Sequence, residues 1–176
     1  MKHLLRTVAL AAVVFSGAAQ AGLVTFDDPG VIDIDDITGD ATYAEAGFNV
    51  RGPAASFLPL DSALIGGFDP ALFTFSAEGG GTFGLRSLDV AAYDLGFGPG
   101  VLVLTGLMGG AEVVSRSVDL AGASSLSFDA AWGSLTAVSF SATSGFALDN
   151  VATVPEPGTG LLAAAGLLLV AARRRR

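Results

Sequence analysis

Residues 154–176 limit where a folded domain can lie in this chain. Pro155 and Pro157 have no amide proton and a fixed φ, so neither a sheet nor a helix continues easily across them. Residues 161–172 have no polar side chain and would form a helix that is apolar on every side, which suits lipid better than a half-exposed surface. Four arginines, Arg173, Arg174, Arg175 and Arg176, end the chain and would stay on the cytoplasmic side of a membrane. We therefore expect an accessible motif, a transmembrane helix and a stop after the folded body.

These three parts resemble a known sorting signal. Pro155, Glu156 and Pro157, followed by a short apolar helix and a terminal arginine cluster, are similar to the PEP-CTERM signal of exported bacterial proteins. The resemblance covers only residues 154–176. It implies an exosortase as partner, a membrane-embedded cysteine protease and transpeptidase-like enzyme. It further implies cleavage near the motif and delivery to the cell surface or an exopolysaccharide matrix. The alternatives are a hydrophobic helix packed on the body and an anchor that is never processed.

The apolar segment is short for a permanent anchor. Residues 158–172 would span about 22 Å at ~1.5 Å per residue, against a hydrocarbon core of ~30 Å. This length favours a transient inner-membrane anchor that awaits cleavage, with the body outside the cytoplasm.

The N-terminus has the pattern of a signal peptide. Lys2 and Arg6 form a basic region, residues 8–15 form an apolar core too short to span a membrane, and Ala19-Gln20-Ala21 is a small-x-small cleavage site. We expect signal peptidase to remove residues 1–21, although an uncleaved N-terminal anchor is the alternative. The folded domain is then residues 22–153.

The charge of this body is strongly acidic. Of the 17 acidic residues all but Glu156 lie in it, whereas only three of the 9 lysines and arginines do, Arg51, Arg86 and Arg116. Its net charge is therefore −13, not the −8 of the whole chain. Such a surface repels nucleic acid and anionic lipid and favours cations, so no nucleic-acid partner is expected. Solubility outside the cell explains the same charge more simply.

The body has the sequence pattern of short strands. Eight or nine segments alternate or are continuously apolar, glycine-rich turns separate them, and helical periodicity is nearly absent. We predict an all-β fold, an antiparallel β-sandwich with a jelly-roll-like topology and phenylalanines in its core. The chain contains no cysteine, so packing and not disulfides must stabilise it.

Details of this prediction can be checked strand by strand. Residues 27–40 should be an acidic loop and residues 52–70 a long irregular connection. The continuous apolar stretch Val101–Leu104 should be a strand buried on both faces. The apolar phase slips by one between Leu85 and Leu88, which predicts a bulge or bend there.

Most enzyme chemistries are excluded by composition. The only histidine, His3, and the only lysine, Lys2, leave with the signal peptide. The body therefore cannot assemble a Ser-His-Asp triad, a thiolate nucleophile, a Schiff base or a histidine zinc site. A glycosidase needs only two carboxyl groups, but no motif selects a pair. We do not expect an enzyme.

Two groups of acids could bind calcium as a structural cofactor. Residues 33–40 hold the densest cluster, but Ile37 and Ala44 stand where an EF-hand has ligands, and a solvated acidic loop is the favoured interpretation. The second group joins the ends of the body. The surroundings of Asp27 and of Asp149 loosely resemble the calcium-framing first and last strands of jelly-roll sugar-binding modules, so these two are the candidate metal ligands.

Trp132 is the only tryptophan, and its apolar neighbours favour a core position over a sugar-stacking one. For Tyr43 and Tyr93 the sequence does not decide between a core position and a sugar-stacking one. The sequence thus predicts an exported, non-enzymatic surface or matrix protein with a structural or adhesive body. A carbohydrate-binding module of the exopolysaccharide matrix is the alternative, and a carboxylate-based glycosidase follows as a third.

Overall fold

A computed structural model describes residues 22–27, 31–60, 62–67, 72–93, 96, 98–122 and 124–155. The predicted signal peptide, the predicted transmembrane helix and the arginine cluster lie outside these residues. No helix in the described ranges is long and apolar enough to cross a membrane.

Within these ranges the chain forms thirteen strands and three short 3-10 turns. The strands are β1 (Leu23–Val24), β2 (Val31–Ile34), β3 (Asp40–Glu45), β4 (Phe48–Pro53), β5 (Phe57–Leu60), β6 (Ala63–Gly66), β7 (Leu72–Ala77), β8 (Phe83–Ala92), β9 (Val101–Met108), β10 (Ala111–Asp119), β11 (Ser124–Ser127), β12 (Ala137–Ala142) and β13 (Phe146–Pro155). The 3-10 turns are Ala54–Ser56, Glu78–Gly80 and Ala130–Trp132.

The strands form two sheets in which every pairing is antiparallel. The first sheet has the order β11-β8-β13-β6-β5, with β1 also paired to β13, and the second has the order β10-β9-β12-β7-β4-β3-β2. The predicted all-β, antiparallel fold is confirmed. β13 lies inside the first sheet, between β8 on one side and β6 and β1 on the other.

The connectivity favours the jelly-roll-like topology. From β6 to β13 each strand crosses to the other sheet, except that β9 and β10 form a hairpin within the second. Eight strands divided in this way between two sheets are typical of a jelly roll. β2, β3 and β4 widen the second sheet beyond those eight.

Aromatic side chains from both sheets meet in one core. Phe48 and Phe75 of the second sheet stack with their ring centroids 4.9 Å apart. Phe83 of the first sheet meets both rings edge-on, at 5.5 and 5.4 Å. Phe73 and Phe146 make a second edge-on contact between the sheets at 5.5 Å. The phenylalanines therefore fill the core, as the sequence predicted.

The predicted loops contain strands, and those predictions were wrong. β2 lies within the supposed acidic loop, and β5 and β6 lie within the supposed irregular connection at residues 52–70. In β2 the two isoleucines next to Asp33, Ile32 and Ile34, are both more than 40% exposed. The strand therefore buries little apolar surface, and its sequence resembles that of a loop. β6 is short and buries successive residues, Leu64, Ile65 and Gly66, so it has no alternating pattern.

β9 is not buried on both faces. Leu102 and Leu104 are fully buried, but Val101, the first residue of the strand, is 40% exposed. In this strand buried positions alternate with more accessible ones because only one face of the second sheet packs on the core.

The predicted bulge between Leu85 and Leu88 is confirmed. Ala152 of β13 faces Ser87, and the next residue, Thr153, faces Leu85. Arg86 is therefore an extra residue on β8, and the apolar phase shifts there.

The aromatic contact between the sheets should dominate stability. Phe75→Ala removes a side chain that is fully buried between Phe48 and Phe83, and we expect it to cost about 3–5 kcal/mol of unfolding free energy. Leu72→Ala on the same strand is the control, because Leu72 is 59% exposed and its removal should change stability by less than about 0.5 kcal/mol. Urea unfolding, followed by the fluorescence of the buried Trp132, measures both. Equal costs would contradict this account of the core.

Candidate functional site

The last strand of the body runs directly into the Pro-Glu-Pro motif. Thr153, Val154 and Pro155 pair with Leu85, Gly84 and Phe83 of β8. Both backbone groups of Phe83 bond to Leu135, at 2.9 and 2.8 Å, so position 155 need not donate a ladder hydrogen bond to Phe83. A proline can therefore end this interior strand without leaving Phe83 unpaired.

The first residue of the described body lies beside this junction. The Gly22 amide donates to Thr153 Oγ1 at 3.0 Å, and the Thr153 amide donates to the Gly22 carbonyl at 2.9 Å. A Cβ at position 22 would lie 2.7 Å from Cε2 of Phe48, so the close approach requires glycine. Both ends of the body are thus held at one place.

Two carboxylates face each other in the middle of the first sheet. Asp89 of β8 and Asp149 of β13 are direct partners across the strands. Like charges in that position destabilise a sheet. The Asn150 amide nitrogen donates to Asp89 Oδ2 at 2.9 Å and to Asp149 Oδ2 at 3.0 Å, so a single neutral group bridges the pair.

Asn150 reaches this position through an irregular backbone. Its φ is 48°, in the left-handed region that asparagine tolerates better than most residues. β13 has one extra residue relative to β8 between Asp149 and Ala152. The bulge turns the Asn150 side chain toward both acids. The backbone N–H of Asn150 donates to Asp149 Oδ1.

The surroundings of Asp149 disfavour its charge. Burial raises the pKa of this carboxyl above its usual value, the Asn150 N–H partly opposes that effect, and the charges of Asp27, Asp89 and Glu45 raise the pKa further. Three other acidic side chains therefore disfavour ionisation of the Asp149 carboxyl.

An open cleft of about 480 Å³ adjoins the acid pair. Its lining combines the two carboxylates with serine hydroxyls and small apolar side chains: Asp89, Asp149, Ser62, Ser124, Ser125, Ala63, Ala91 and Ala147, with Val90. Carboxylates and hydroxyls can exchange hydrogen bonds with a polyol or hold a cation. Asp89 and the cleft escaped the sequence analysis because they depend on strand register, for which the sequence has no local signal.

The two predicted metal ligands are brought within electrostatic range of each other, since the charge of Asp27 raises the pKa of Asp149. Glu45, which the sequence analysis missed, lies in the same region. Its carboxylate already accepts hydrogen bonds from the amides of Thr25 and Phe26 and from the Tyr43 hydroxyl. Within the described ranges no group of three or more acidic or histidine side chains could hold a metal ion. Calcium at Asp27 and Asp149 stays a prediction.

In the acidic segment at residues 33–40, residues 35–39 form an exposed turn, and the flanking residues belong to β2 and β3. The Asp35 carboxylate accepts the amides of Ile37 and Thr38 at 2.8 and 3.2 Å, and these bonds hold its pKa below the usual value. Asp40 pairs with Arg51 at 3.0 Å. The favoured interpretation, a solvated acidic turn, agrees with this geometry.

The aromatic residues considered for sugar stacking are mostly buried. Trp132 is 4% exposed and packs on Phe128 at 4.7 Å between ring centroids, so the predicted core position is confirmed. Tyr43 is 1% exposed. Tyr93 is half-buried at the end of β8. Neither Trp132 nor Tyr43 can offer a ring face to a sugar.

Comparison with known proteins identifies the C-terminal segment. The family model for the PEP-CTERM protein-sorting motif matches residues 153–176. The match begins inside β13 and includes the Pro-Glu-Pro sequence. The chain therefore has the PEP-CTERM motif of an exosortase substrate, as the sequence predicted, and the motif implies export and membrane-transient sorting to the cell surface. No curated protein and no solved structure matches the chain.

The acid pair should make stability depend on pH. Because the folded pKa of Asp149 is raised, its contribution to stability is complete below the unfolded value of 3.8 and is lost as the pH rises through the folded pKa. The unfolding free energy of Asp149→Asn should therefore increase relative to wild type between about pH 3 and pH 7. Urea unfolding at several pH values measures the difference.

Asp33 is exposed on β2, so the Asp33→Asn variant controls for the loss of one negative charge. A stability difference between Asp149→Asn and wild type that does not change with pH would contradict the raised pKa.

The same variants test calcium binding. Millimolar calcium should raise the melting temperature of the wild type more than magnesium does, and Asp149→Asn should remove that excess. Equal effects of both ions would refute the metal site.

Proposed function

We propose that this chain is an exported protein which an exosortase processes and releases to the cell surface or the extracellular matrix, where its β-sandwich has a structural or adhesive role. The sorting motif at residues 153–176 carries the proposal. Signal peptidase would remove residues 1–21, and the apolar segment would anchor the chain until the exosortase acts.

The composition of the body supports a non-catalytic role. It has no cysteine, and the chain's only histidine and only lysine precede Gly22. The body therefore has no thiolate nucleophile, no histidine to activate a serine and no lysine for a Schiff base. The net charge of −13 derived above keeps such a body soluble and separate from anionic surfaces.

Carbohydrate binding is the second candidate, and the open cleft beside Asp89 and Asp149 favours it. The site would recognise sugar hydroxyls through carboxylates and serines, without aromatic stacking. A glycan array of the exported protein tests it. Binding that Asp89→Ala abolishes would establish the site, and an array without any bound glycan would refute it.

A glycosidase ranks third, although a pair of carboxyl groups lies in a cleft. Both face the Asn150 amide, at 2.9 and 3.0 Å, so their bridged oxygens are close enough together for retaining chemistry. That amide, however, occupies the space between the two acids in which a glycosidic bond would have to lie.

Processing predicts a definite product. The mass of the protein recovered from the surface of its native host should correspond to a chain that begins at Gly22 and lacks residues 161–176. It should retain β13 through Pro155, because a cut before that residue would remove paired backbone from an interior strand. Intact-mass spectrometry measures this. A product that keeps the four terminal arginines would contradict exosortase processing.

The arginines provide a matched pair of variants. Replacing all four by serine should impair retention at the membrane before processing, whereas replacing them by lysine should preserve it, because positive charge holds the cytoplasmic end. Membrane fractionation in a host without exosortase compares the two.

A further inference from the structure

Both chain segments with membrane-directed sequences leave the body from the same end. β1 runs antiparallel to β13, with Leu23 opposite Ala152 and Val24 opposite Val151. Gly22 consequently lies beside Thr153, two residues before the end of β13 at Pro155. The segments before Gly22 and after Pro155 therefore begin next to each other.

Three turns lie at this end of the sandwich and form, with Gly22 and Pro155, what we call the terminal face: residues 46–47, 78–82 and 109–110. The Glu78 amide bonds to the Gly47 carbonyl at 2.8 Å. The Gly109 amide bonds to Thr136 Oγ1, and the adjacent Leu135 bridges to Phe83, the partner of Pro155. Residues 35–39, 120–122 and 143–145 lie at the other ends of the same strands and form the opposite face.

Both ends of the sandwich carry exposed acids. In the three turns of the terminal face Glu78 is the only charged residue, but the loop between β11 and β12 lies at the same end and adds the exposed Asp129. At the opposite face Asp35 and Asp36 are exposed in one turn. The reach of the chain, and not a difference in charge, therefore sets which end faces the membrane.

The reach of the chain limits how the body can sit on a membrane. Five residues, 156–160, separate Pro155 from the apolar segment, and fully extended they cover about 17 Å at ~3.4 Å per residue. β10 alone, with 9 residues, is about 30 Å long at ~3.3 Å per residue. The opposite face thus cannot be the part of the body nearest the bilayer.

We propose that the terminal face is the surface which faces the lipid headgroups while the chain is anchored, so that the segments before Gly22 and after Pro155 both leave the folded body toward the bilayer. This inference rests on the proposed function, since it needs the C-terminal segment to enter the membrane. The partner is the bilayer surface, and the contact ends when the anchor is removed.

Site-directed labelling tests the orientation. The chain has no cysteine, so single-cysteine variants can be labelled without background. Ala111 begins β10 next to the turn of the terminal face, and Ala121 follows the other end of the same strand; both are exposed. The full-length Ala111→Cys and Ala121→Cys proteins, each with an environment-sensitive fluorophore, would be reconstituted into phosphatidylcholine–phosphatidylglycerol vesicles that contain nitroxide-headgroup lipid.

We expect several-fold stronger quenching at residue 111 than at residue 121. Gly81→Cys and Gly122→Cys form an independent pair at the same two ends, because an added Cβ meets no atom closer than 4.0 Å at either position. They should give the same order.

The outcomes separate the inference from the function on which it rests. Equal or reversed quenching in vesicles that carry the protein would overturn the orientation alone, because the body would then lie on its side or inverted. Protein that does not float with the vesicles would refute the membrane anchor, and with it the orientation.

Discussion

The backbone pairing of β13 is the constraint on which the rest of the structure depends. This strand is the last of the body, yet it lies inside the first sheet and contacts β8, β6 and β1. It cannot pair until most of the chain has been made, so the two sheets close around the final residues before the sorting motif. Pairing with β1 also brings the first residue of the body to the last. The first sheet therefore continues without a break into the first residue of the Pro-Glu-Pro motif.

The same strand carries the least regular part of the sheet. Asp149 faces Asp89, the next residue has a left-handed backbone, and an extra residue follows before regular pairing resumes. Each of these features costs stability in an ordinary sheet. They lie beside an open cleft. Proteins accept such unfavourable local features mainly at functional sites, and clefts are the usual place for a binding site. The Asn150 amide limits the cost by donating to both carboxylates.

The sequence analysis predicted the features that depend on local pattern and on composition. The all-β class, the phenylalanine core and the bulge near Arg86 follow from side-chain alternation, and the core position of Trp132 follows from its apolar neighbours. β2 and β6 were missed because one exposes its isoleucines and the other buries consecutive residues, so neither alternates between core and solvent. The acid pair was missed for a different reason. Asp89 and Asp149 are 60 residues apart in the chain, and only the register of β8 against β13 makes them neighbours.

Hydrogen exchange at the end of β13 tests the central claim most directly. The Thr153 amide donates to the Gly22 carbonyl, in the segment where the body passes into the motif. If the fold extends to the motif without a linker, this amide in the full chain should exchange about as slowly as the paired amides in the middle of β13. Exchange of the Thr153 amide at the rate of an unstructured peptide would contradict the account, because the motif would then follow an open linker and the two ends of the body would not be held together.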